Sequence, residues 1–251
     1  MPTRRPLLDR CYSLGLAGHD QVNRAFGGGL PKGSIVLVEG SYGSGKSTLA
    51  GRFAHGLCEA GHTVSYLSTE QPVGRFVDQM GTLSYDVTGA LLDRDLLFMF
   101  GDLAAIDART EEPPPLLARL TATERMWERD VVVLDTFGDI LRYDPTFELL
   151  AETHDRRRAA QRVLSFFRRV TARGCTVVLT VDTVGLPDEA LQPFRSVADV
   201  VLRLTQTGGG SGGRRTIEVD RFRGAGQVVD DRIGFAIRPG IGIVIQNRRV
   251  I

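Results

Sequence analysis

The amino-acid sequence predicts a single α/β domain with a mostly parallel central sheet, helices on both faces of the sheet and antiparallel hairpins at the C-terminal end. Before Asp199, short apolar runs rich in β-branched residues alternate with helical patterns, which is typical of parallel strands joined by crossover helices. One connection is a glycine-rich loop directly between a strand and a helix. After Asp199 the pattern changes to the period-two alternation of hairpin strands.

Five apolar runs predict the parallel strands: residues 35–39, 63–68, 96–100, 131–135 and 176–181. Four patterns with apolar residues three and four positions apart predict helices between them. These helices cover residues 49–58 with a stop at Gly61, 73–80, 116–127 after the prolines at 113–115, and about 155–173. The order of the elements therefore predicts a parallel sheet covered on both faces.

Two hairpins are predicted at the C-terminal end. The first joins residues 200–205 to 215–222 through a long glycine-rich tip at 208–213. The second joins residues 233–238 to 241–246 through a turn at Pro239 and Gly240. Because no repeat or linker interrupts the pattern, we expect one domain over residues 1–251.

The composition is that of a soluble globular protein. Hydrophobic residues make up 42% of the 251 residues and charged residues 24%, which excludes a disordered chain or a fibre. No segment approaches the ~20 apolar residues of a membrane span, and the first ten residues lack the apolar stretch of a secretory signal. We therefore expect a cytoplasmic protein without direct membrane insertion. The net charge of +1 gives no general attraction to nucleic acid.

The glycine-rich loop fits the phosphate-binding pattern GxxxxGK(S/T) between a strand and a helix. Its residues are Gly40, Ser41, Tyr42, Gly43, Ser44, Gly45, Lys46, Ser47 and Thr48. Glycines let backbone N–H groups converge on phosphate oxygens at a helix N-terminus. Lys46 would neutralise the β- and γ-phosphates of ATP, and the Ser47 hydroxyl would ligate Mg²⁺. The alternative, a chance glycine-rich turn, is disfavoured by the flanking strand and helix.

Two further observations support this interpretation. Only Lys32 and Lys46 are lysines, whereas the other 29 basic residues are arginines, so position 46 favours a compact ammonium. The buried strand 131–135 ends at Asp135. A P-loop fold places at this position the carboxylate that holds the Mg²⁺ hydration shell, so Asp135 would bind the ion through water. Taken alone, Asp135 could equally be a turn residue.

Arginines are concentrated on the predicted helix that precedes the strand at 176–181. They are Arg156, Arg157, Arg158, Arg162, Arg168 and Arg169, with Arg173 just after them. The simplest interpretation is a solvated helix face, and a partner-docking surface is the alternative.

Several motifs together resemble one family. They are residues 12–16 and 18–23, the segment GGGLPKG at 27–33 before the P-loop strand, residues 65–71, 196–202 and 221–225. With the P-loop, they resemble the RecA-like P-loop ATPases of the KaiC group and, within that group, the FlaH (ArlH) accessory ATPases of the archaellum. The resemblance implies a RecA-like P-loop NTPase domain that binds ATP and Mg²⁺.

The resemblance also implies partners and a location. It predicts a homo-oligomer, in the form of a hexameric ring, that docks on the archaellum motor ATPase inside the cytoplasmic scaffold ring protein. The protein would regulate or stabilise the motor from the cytoplasmic side of the membrane complex. No nucleic-acid partner is expected.

The resemblance bears on hydrolysis and on ring assembly. KaiC-type enzymes carry two adjacent glutamates after the second core strand, whereas this chain has Thr69 and Glu70. If Thr69 occupies the catalytic position, a general-base contribution of about 10²- to 10⁴-fold is missing, and hydrolysis is slow unless Glu70 substitutes. Glu70 could instead be a first-turn helix carboxylate. Arg221 and Arg223 alternate outward from a strand, where relatives insert basic residues into the neighbouring subunit's nucleotide site; a solvated arginine pair is the alternative.

Two other functions remain open at this stage. A RecA- or RadA-type recombinase would use the tip at 208–213 as a DNA-binding loop. A KaiC-like signalling ATPase would phosphorylate itself, with Thr69 or a nearby hydroxyl as the acceptor.

Overall fold

A computed structural model of the protein describes residues 10–101, 103, 116–207 and 214–246. Its strands are β1 (Cys11–Tyr12), β2 (Leu30–Pro31), β3 (Ile35–Gly40), β4 (Val64–Ser68), β5 (Leu96–Phe100), β6 (Val131–Asp135), β7 (Thr176–Asp182), β8 (Val200–Thr207), β9 (Arg214–Phe222), β10 (Arg232–Arg238) and β11 (Gly242–Gln246). Its α-helices are α1 (Val22–Ala25), α2 (Lys46–Glu59), α3 (Val73–Thr82), α4 (Thr88–Leu92), α5 (Leu116–Ala122), α6 (Phe137–Tyr143), α7 (Pro145–His154), α8 (Arg156–Thr171) and α9 (Asp188–Val197). The predicted hairpin tip at 208–213 lies outside the described residues.

A nine-stranded sheet forms the centre of the domain, in the order β11-β10-β9-β8-β3-β7-β6-β4-β5. The six strands from β8 to β5 are parallel, and β9, β10 and β11 are antiparallel additions at one edge. This confirms the predicted α/β fold. Strand β7 lies between β3 and β6, and all three are parallel. Their carboxyl ends therefore lie side by side, and open α/β sheets bind ligands outside the carboxyl ends of their strands.

Side chains alternate between two apolar layers on opposite faces of the sheet. In β6, Val131 and Val133 pack with the layer that contains α2, whereas Val132 and Leu134 pack with the layer that contains α8 and α9. A strand covered on both faces is apolar at nearly every position. This explains why residues 131–134 form an unbroken apolar run.

Five α-helices in the described part of the chain are absent from the sequence-based prediction: α1, α4, α6, α7 and α9. A local signal for α7 exists, because Asp144 accepts hydrogen bonds from the backbone N–H groups of Thr146 and Phe147, and Pro145 takes the first helical position. The predicted helix over 116–127 is wrong beyond Ala122, because the chain turns there and continues as a 3₁₀ helix over Arg125–Glu128.

A buried arginine fastens the N-terminal segment to α2. The Arg52 side chain is fully buried, and its Nε and Nη2 atoms donate to the Asp20 carboxylate at 2.6 and 2.8 Å. Its Nη1 atom donates to the carbonyl of Leu14 at 2.8 Å. A paired and hydrogen-bonded charge is tolerated in a core, so this contact fixes the segment before GGGLPKG against the helix that follows the P-loop.

Within the described ranges, we find no helix that combines the length and the apolar character needed to cross a bilayer.

Candidate phosphate-binding site

The loop between β3 and α2 has the backbone of a phosphate-binding loop. Gly43 and Gly45 have positive φ angles of 77° and 101°, a region that glycine enters without the steric cost of a Cβ atom. At Gly40, an added Cβ would lie 2.6 Å from the carbonyl oxygen of Leu204. The geometry therefore favours glycine at all three positions, of which the motif specifies Gly40 and Gly45.

Helix α2 begins at Lys46 with its N-terminus directed into this loop. Gly45 is the N-cap residue, and no side chain of the described residues caps the helix there. Its first backbone N–H groups therefore remain available to an anion and carry the positive end of the helix dipole. This is the arrangement that binds phosphate at helix N-termini.

The Lys46 ammonium lies over the loop. Its Nζ atom donates to the carbonyl oxygens of Gly40 at 2.8 Å and Ser41 at 2.9 Å, and it lies 3.9 Å from Asp182 Oδ2. Burial lowers the pKa of Lys46, while the carboxylates of Asp182 and Asp135 oppose this shift. Tyr42, in contrast, is 89% exposed at the outer side of the loop.

Asp135 is 1% exposed and is held by hydroxyl groups. Tyr66 donates to Oδ2 at 2.9 Å and Thr180 donates to Oδ1 at 2.7 Å, and the Ser47 hydroxyl is a third hydrogen-bond donor to this carboxylate. Burial raises the pKa of Asp135, and the three hydrogen bonds and Lys46 oppose that rise. The structure thus brings Ser47 and Asp135 together, as a shared Mg²⁺ site requires.

Tyr66 and Thr180 are site residues that the sequence analysis missed. They belong to β4 and β7, the two strands that flank β6. Thr180 also accepts a hydrogen bond from the backbone N–H of Thr136 at 2.7 Å. The sequence signal for Thr180 is a hydroxyl within the apolar stretch of β7, which does not by itself identify its partner.

Glu70 follows β4 and lies near the charged groups of the same site. Burial, together with the charges of Asp135 and Asp139, raises the pKa of Glu70, while a hydrogen bond from the Thr136 hydroxyl and the charge of Lys46 lower it. These partners lie at the end of β6 and in the first turns of α2 and α6. The neighbouring Thr69 hydroxyl is buried and has no hydrogen-bond partner among the described residues.

Two more carboxylates adjoin Lys46. Asp139 lies in the first turn of α6, and burial raises the pKa of its carboxyl group. Asp182 ends β7, and its Oδ1 atom accepts a hydrogen bond from the backbone N–H of Val184 at 2.9 Å. The site therefore combines one ammonium with several carboxylates, an arrangement suited to a nucleotide phosphate bound together with a divalent cation.

A buried ion pair lies directly before the loop, at the end of β3. Glu39, directly before Gly40, is 1% exposed and accepts from Arg195 Nε at 2.7 Å and Nη2 at 3.2 Å. Arg195, on α9, also donates to Asp188 at 2.8 Å. Hydrogen bonding to Glu39 raises the pKa of Arg195. This pair, which the sequence analysis missed, connects the P-loop strand to α9.

Arg221 differs from its predicted outward orientation. Its Nη1 atom donates to the carbonyls of Arg195 and Ala198 at the end of α9, at 2.9 and 2.8 Å, because those carbonyls lack helical partners. Arg223 is exposed. Arg221 pairs with Val201 near the N-terminal end of β8, whereas Gly40 pairs with Leu204. Arg221 therefore lies toward the end of the strands that is opposite its own P-loop.

The chain is similar to known proteins along nearly its whole length. The family model described as the KaiC ATPase matches residues 13–250. The archaeal flagellar ATP-binding protein FlaH of Methanocaldococcus jannaschii is 26% identical over 227 residues, covering 90% of this chain and 92% of that protein. The crystal structure of FlaH from this organism superposes with a TM-score of 0.81 at 25% identity, covering 95% of this chain and 100% of that one.

A second similarity is shorter. The DNA repair protein RadA of Halalkalibacterium halodurans is 29% identical over 111 residues, which cover 44% of this chain and 23% of RadA. The similarity to FlaH thus extends along the chain and confirms the resemblance predicted from the sequence, whereas the similarity to RadA is confined to less than half of it.

Proposed function

Because the chain belongs to the KaiC family of ATPases, we propose that it is an ATP-binding component of the archaellum in which bound nucleotide controls assembly of the motor. The observation that carries this proposal is the P-loop itself, where the Lys46 ammonium, the uncapped N-terminus of α2 and the Ser47–Asp135 pair converge. The similarity to archaeal flagellar FlaH over 90% of the chain supports the archaellum as the setting.

The residues present fit ATP and Mg²⁺. The loop amides and Lys46 would hold the β- and γ-phosphates, while Ser47 would ligate the ion and Asp135 would hold it through water. The Ser47 hydroxyl and the Asp135 carboxylate are oxygen donors, which Mg²⁺ prefers. When bound, Mg²⁺ neutralises charge on the phosphates. Tyr66 and Thr180 fix the orientation of the carboxylate.

Hydrolysis is proposed to be slow. Of Thr69 and Glu70, only Glu70 carries a carboxylate that can accept a proton, and its proximity to Lys46 and Asp135 makes it the candidate base. We expect Glu70→Gln to remove the residual activity and Thr69→Glu to raise it. Steady-state phosphate release tests both variants. Turnover of tens of ATP per second by the unmodified protein would reject slow hydrolysis.

Nucleotide-dependent ring assembly is proposed to use Arg223 and Arg221 in trans. Both lie near the N-terminal end of β8, away from their own P-loop, so a neighbouring subunit's phosphates are the more accessible target. Analytical ultracentrifugation with Mg-ATP should show a ring, a hexamer by family resemblance, that Arg223→Ala abolishes. Arg203→Ala, which removes an exposed arginine from β8, is the matched control. Assembly that survives the combined loss of Arg221 and Arg223 contradicts the assignment.

The proposed partners are the archaellum motor ATPase and the cytoplasmic scaffold ring protein, with the protein at the cytoplasmic side of the membrane motor complex. A pull-down with ATP-loaded protein should retain the motor ATPase, and Lys46→Ala should not. Retention that is equal with and without nucleotide argues against nucleotide control.

A DNA-dependent recombinase is the second candidate, because RadA shares 29% identity over 111 residues. It predicts ATPase stimulation by single-stranded DNA and salt-sensitive binding. An autophosphorylating KaiC-like ATPase instead predicts a phosphate on Thr69 or a nearby hydroxyl, detectable by mass spectrometry after incubation with ATP.

A further inference from the structure

A groove of about 300 Å³ runs between α8 and α9, on the face of the sheet opposite α2. Polar side chains of both helices line it: Arg157, Gln161, Ser165 and Arg168 from α8, and Gln192 and Ser196 from α9. Leu164, Pro193 and Val197 contribute apolar surface to it. The groove shares no lining residue with the nucleotide site.

The charged side chains that line the groove are all positive. Helix α8 carries six arginines and no aspartate or glutamate in its 16 residues, although the whole chain has a net charge of only +1. Neither the Arg157 nor the Arg168 guanidinium has an ion-pair or hydrogen-bond partner in the part of the chain that the structure describes. On α9 the nearest carboxylates are in its first turn, and Asp188 is already paired with Arg195.

The spacing of these arginines defines what the groove can bind. Arg157 and Arg168 are three helical turns apart, a rise of roughly 16 Å. Amide and hydroxyl groups of Gln161 and Ser165 lie between them on the same helix, and Gln192 and Ser196 face them one turn apart on α9. Six residues of extended chain span roughly 20 Å, and side chains six positions apart lie on the same face. Two carboxylates six residues apart would therefore meet both guanidinium groups, because the long arginine side chains take up the difference of about 4 Å.

We propose that this groove binds an acidic segment of a partner protein, with carboxylates at Arg157 and Arg168 and small side chains between them. Arginine suits this role because its planar fork matches a carboxylate. A bilayer surface fits less well, since the two arginines flank a concave groove with an apolar floor and polar walls. The proposal does not depend on ATP binding.

The test uses the full chain labelled with ¹⁵N and the arginine Nε–Hε signals in NMR spectra. The probe is a capped heptapeptide with glutamates at its first and seventh positions and alternating alanine and serine between them. We expect saturable shifts of the Arg157 and Arg168 signals. The double variant R157Q/R168Q should weaken binding about fivefold or more, whereas R158Q/R169Q, which removes the same charge from adjacent positions, should weaken it less than about twofold.

Several outcomes would overturn the proposal. They are the absence of shifts in the unmodified protein, equal weakening by the two double variants, and equal binding of a heptapeptide with its two glutamates adjacent. A fourth is sedimentation with phosphatidylserine vesicles that depends on Arg157 and Arg168 when peptide binding does not, which would assign the groove to a membrane. Thermal unfolding of both double variants checks that each is folded.

Discussion

Replacing Arg195 with methionine is expected to lower the free energy of unfolding by about 3 kcal/mol, because the Glu39 carboxylate is then buried without its partner. Glu39 is 1% exposed and Arg195 28% exposed, and two hydrogen bonds of 2.7 and 3.2 Å join them. Loss of one partner of a buried pair costs about 3–5 kcal/mol. The partial exposure of Arg195 places this pair at the lower end of that range.

Differential scanning calorimetry measures the effect. For a chain of this length, about 3 kcal/mol corresponds to a fall in Tm of roughly 6–12 °C. Glu39→Gln should cost only about 1 kcal/mol, because the amide oxygen still accepts a hydrogen bond and no unpaired carboxylate is buried. The double variant that combines Arg195→Met with Glu39→Gln should therefore be more stable than Arg195→Met alone.

Arg203→Met provides the matched control. Arg203 pairs with Asp220 at the same 2.7 Å, but both side chains are well exposed, so its loss should cost less than about 1 kcal/mol. The reasoning is refuted if Arg195→Met lowers Tm no more than Arg203→Met does, or if the double variant is less stable than Arg195→Met.

Three further predictions follow from individual contacts. Tyr66→Phe removes a hydrogen bond to Asp135 and should weaken Mg-ATP binding about five- to tenfold by calorimetry; an unchanged Kd contradicts that role. Arg52→Met leaves Asp20 without its buried partner and should lower the free energy of unfolding in urea by about 3–5 kcal/mol. Adding Asp20→Asn should restore part of that loss. Equal stability of Arg52→Met and the double variant contradicts the pairing. Burial lowers the pKa of His55, so the unfolded chain takes up the proton first and stability falls as pH drops below about 6.5; His55→Gln should reduce that fall, and an identical pH profile contradicts it.

Local patterns were sufficient to predict much of the fold and the centre of the site. The motif from Gly40 to Thr48 predicts both a backbone shape and a chemistry, because its glycines and its lysine are needed at fixed positions along one short segment. The apolar run ending at Asp135 likewise predicts a buried strand with a carboxylate at its end. Both depend on neighbours in the sequence.

Contacts between distant segments could not be predicted in this way. The partners of Asp135 come from β4 and β7, and only the strand order brings Tyr66 and Thr180 beside it. Glu39 and Arg195 are 156 positions apart, and an isolated glutamate or arginine in an arginine-rich chain carries no signal of pairing. The orientation of Arg221 was missed for the same reason, since its acceptors are the unpaired carbonyls at the end of α9.

Calorimetric titration of Mg-ATP into the full chain tests most directly whether the loop around Lys46 holds a triphosphate. The unmodified protein should give a saturating heat with one site per chain, and Lys46→Ala should lose it. Lys32→Ala removes the other lysine, an exposed side chain over the Tyr12 ring, and should keep it. Absence of heat from the unmodified protein, or equal binding by Lys46→Ala, would contradict the account.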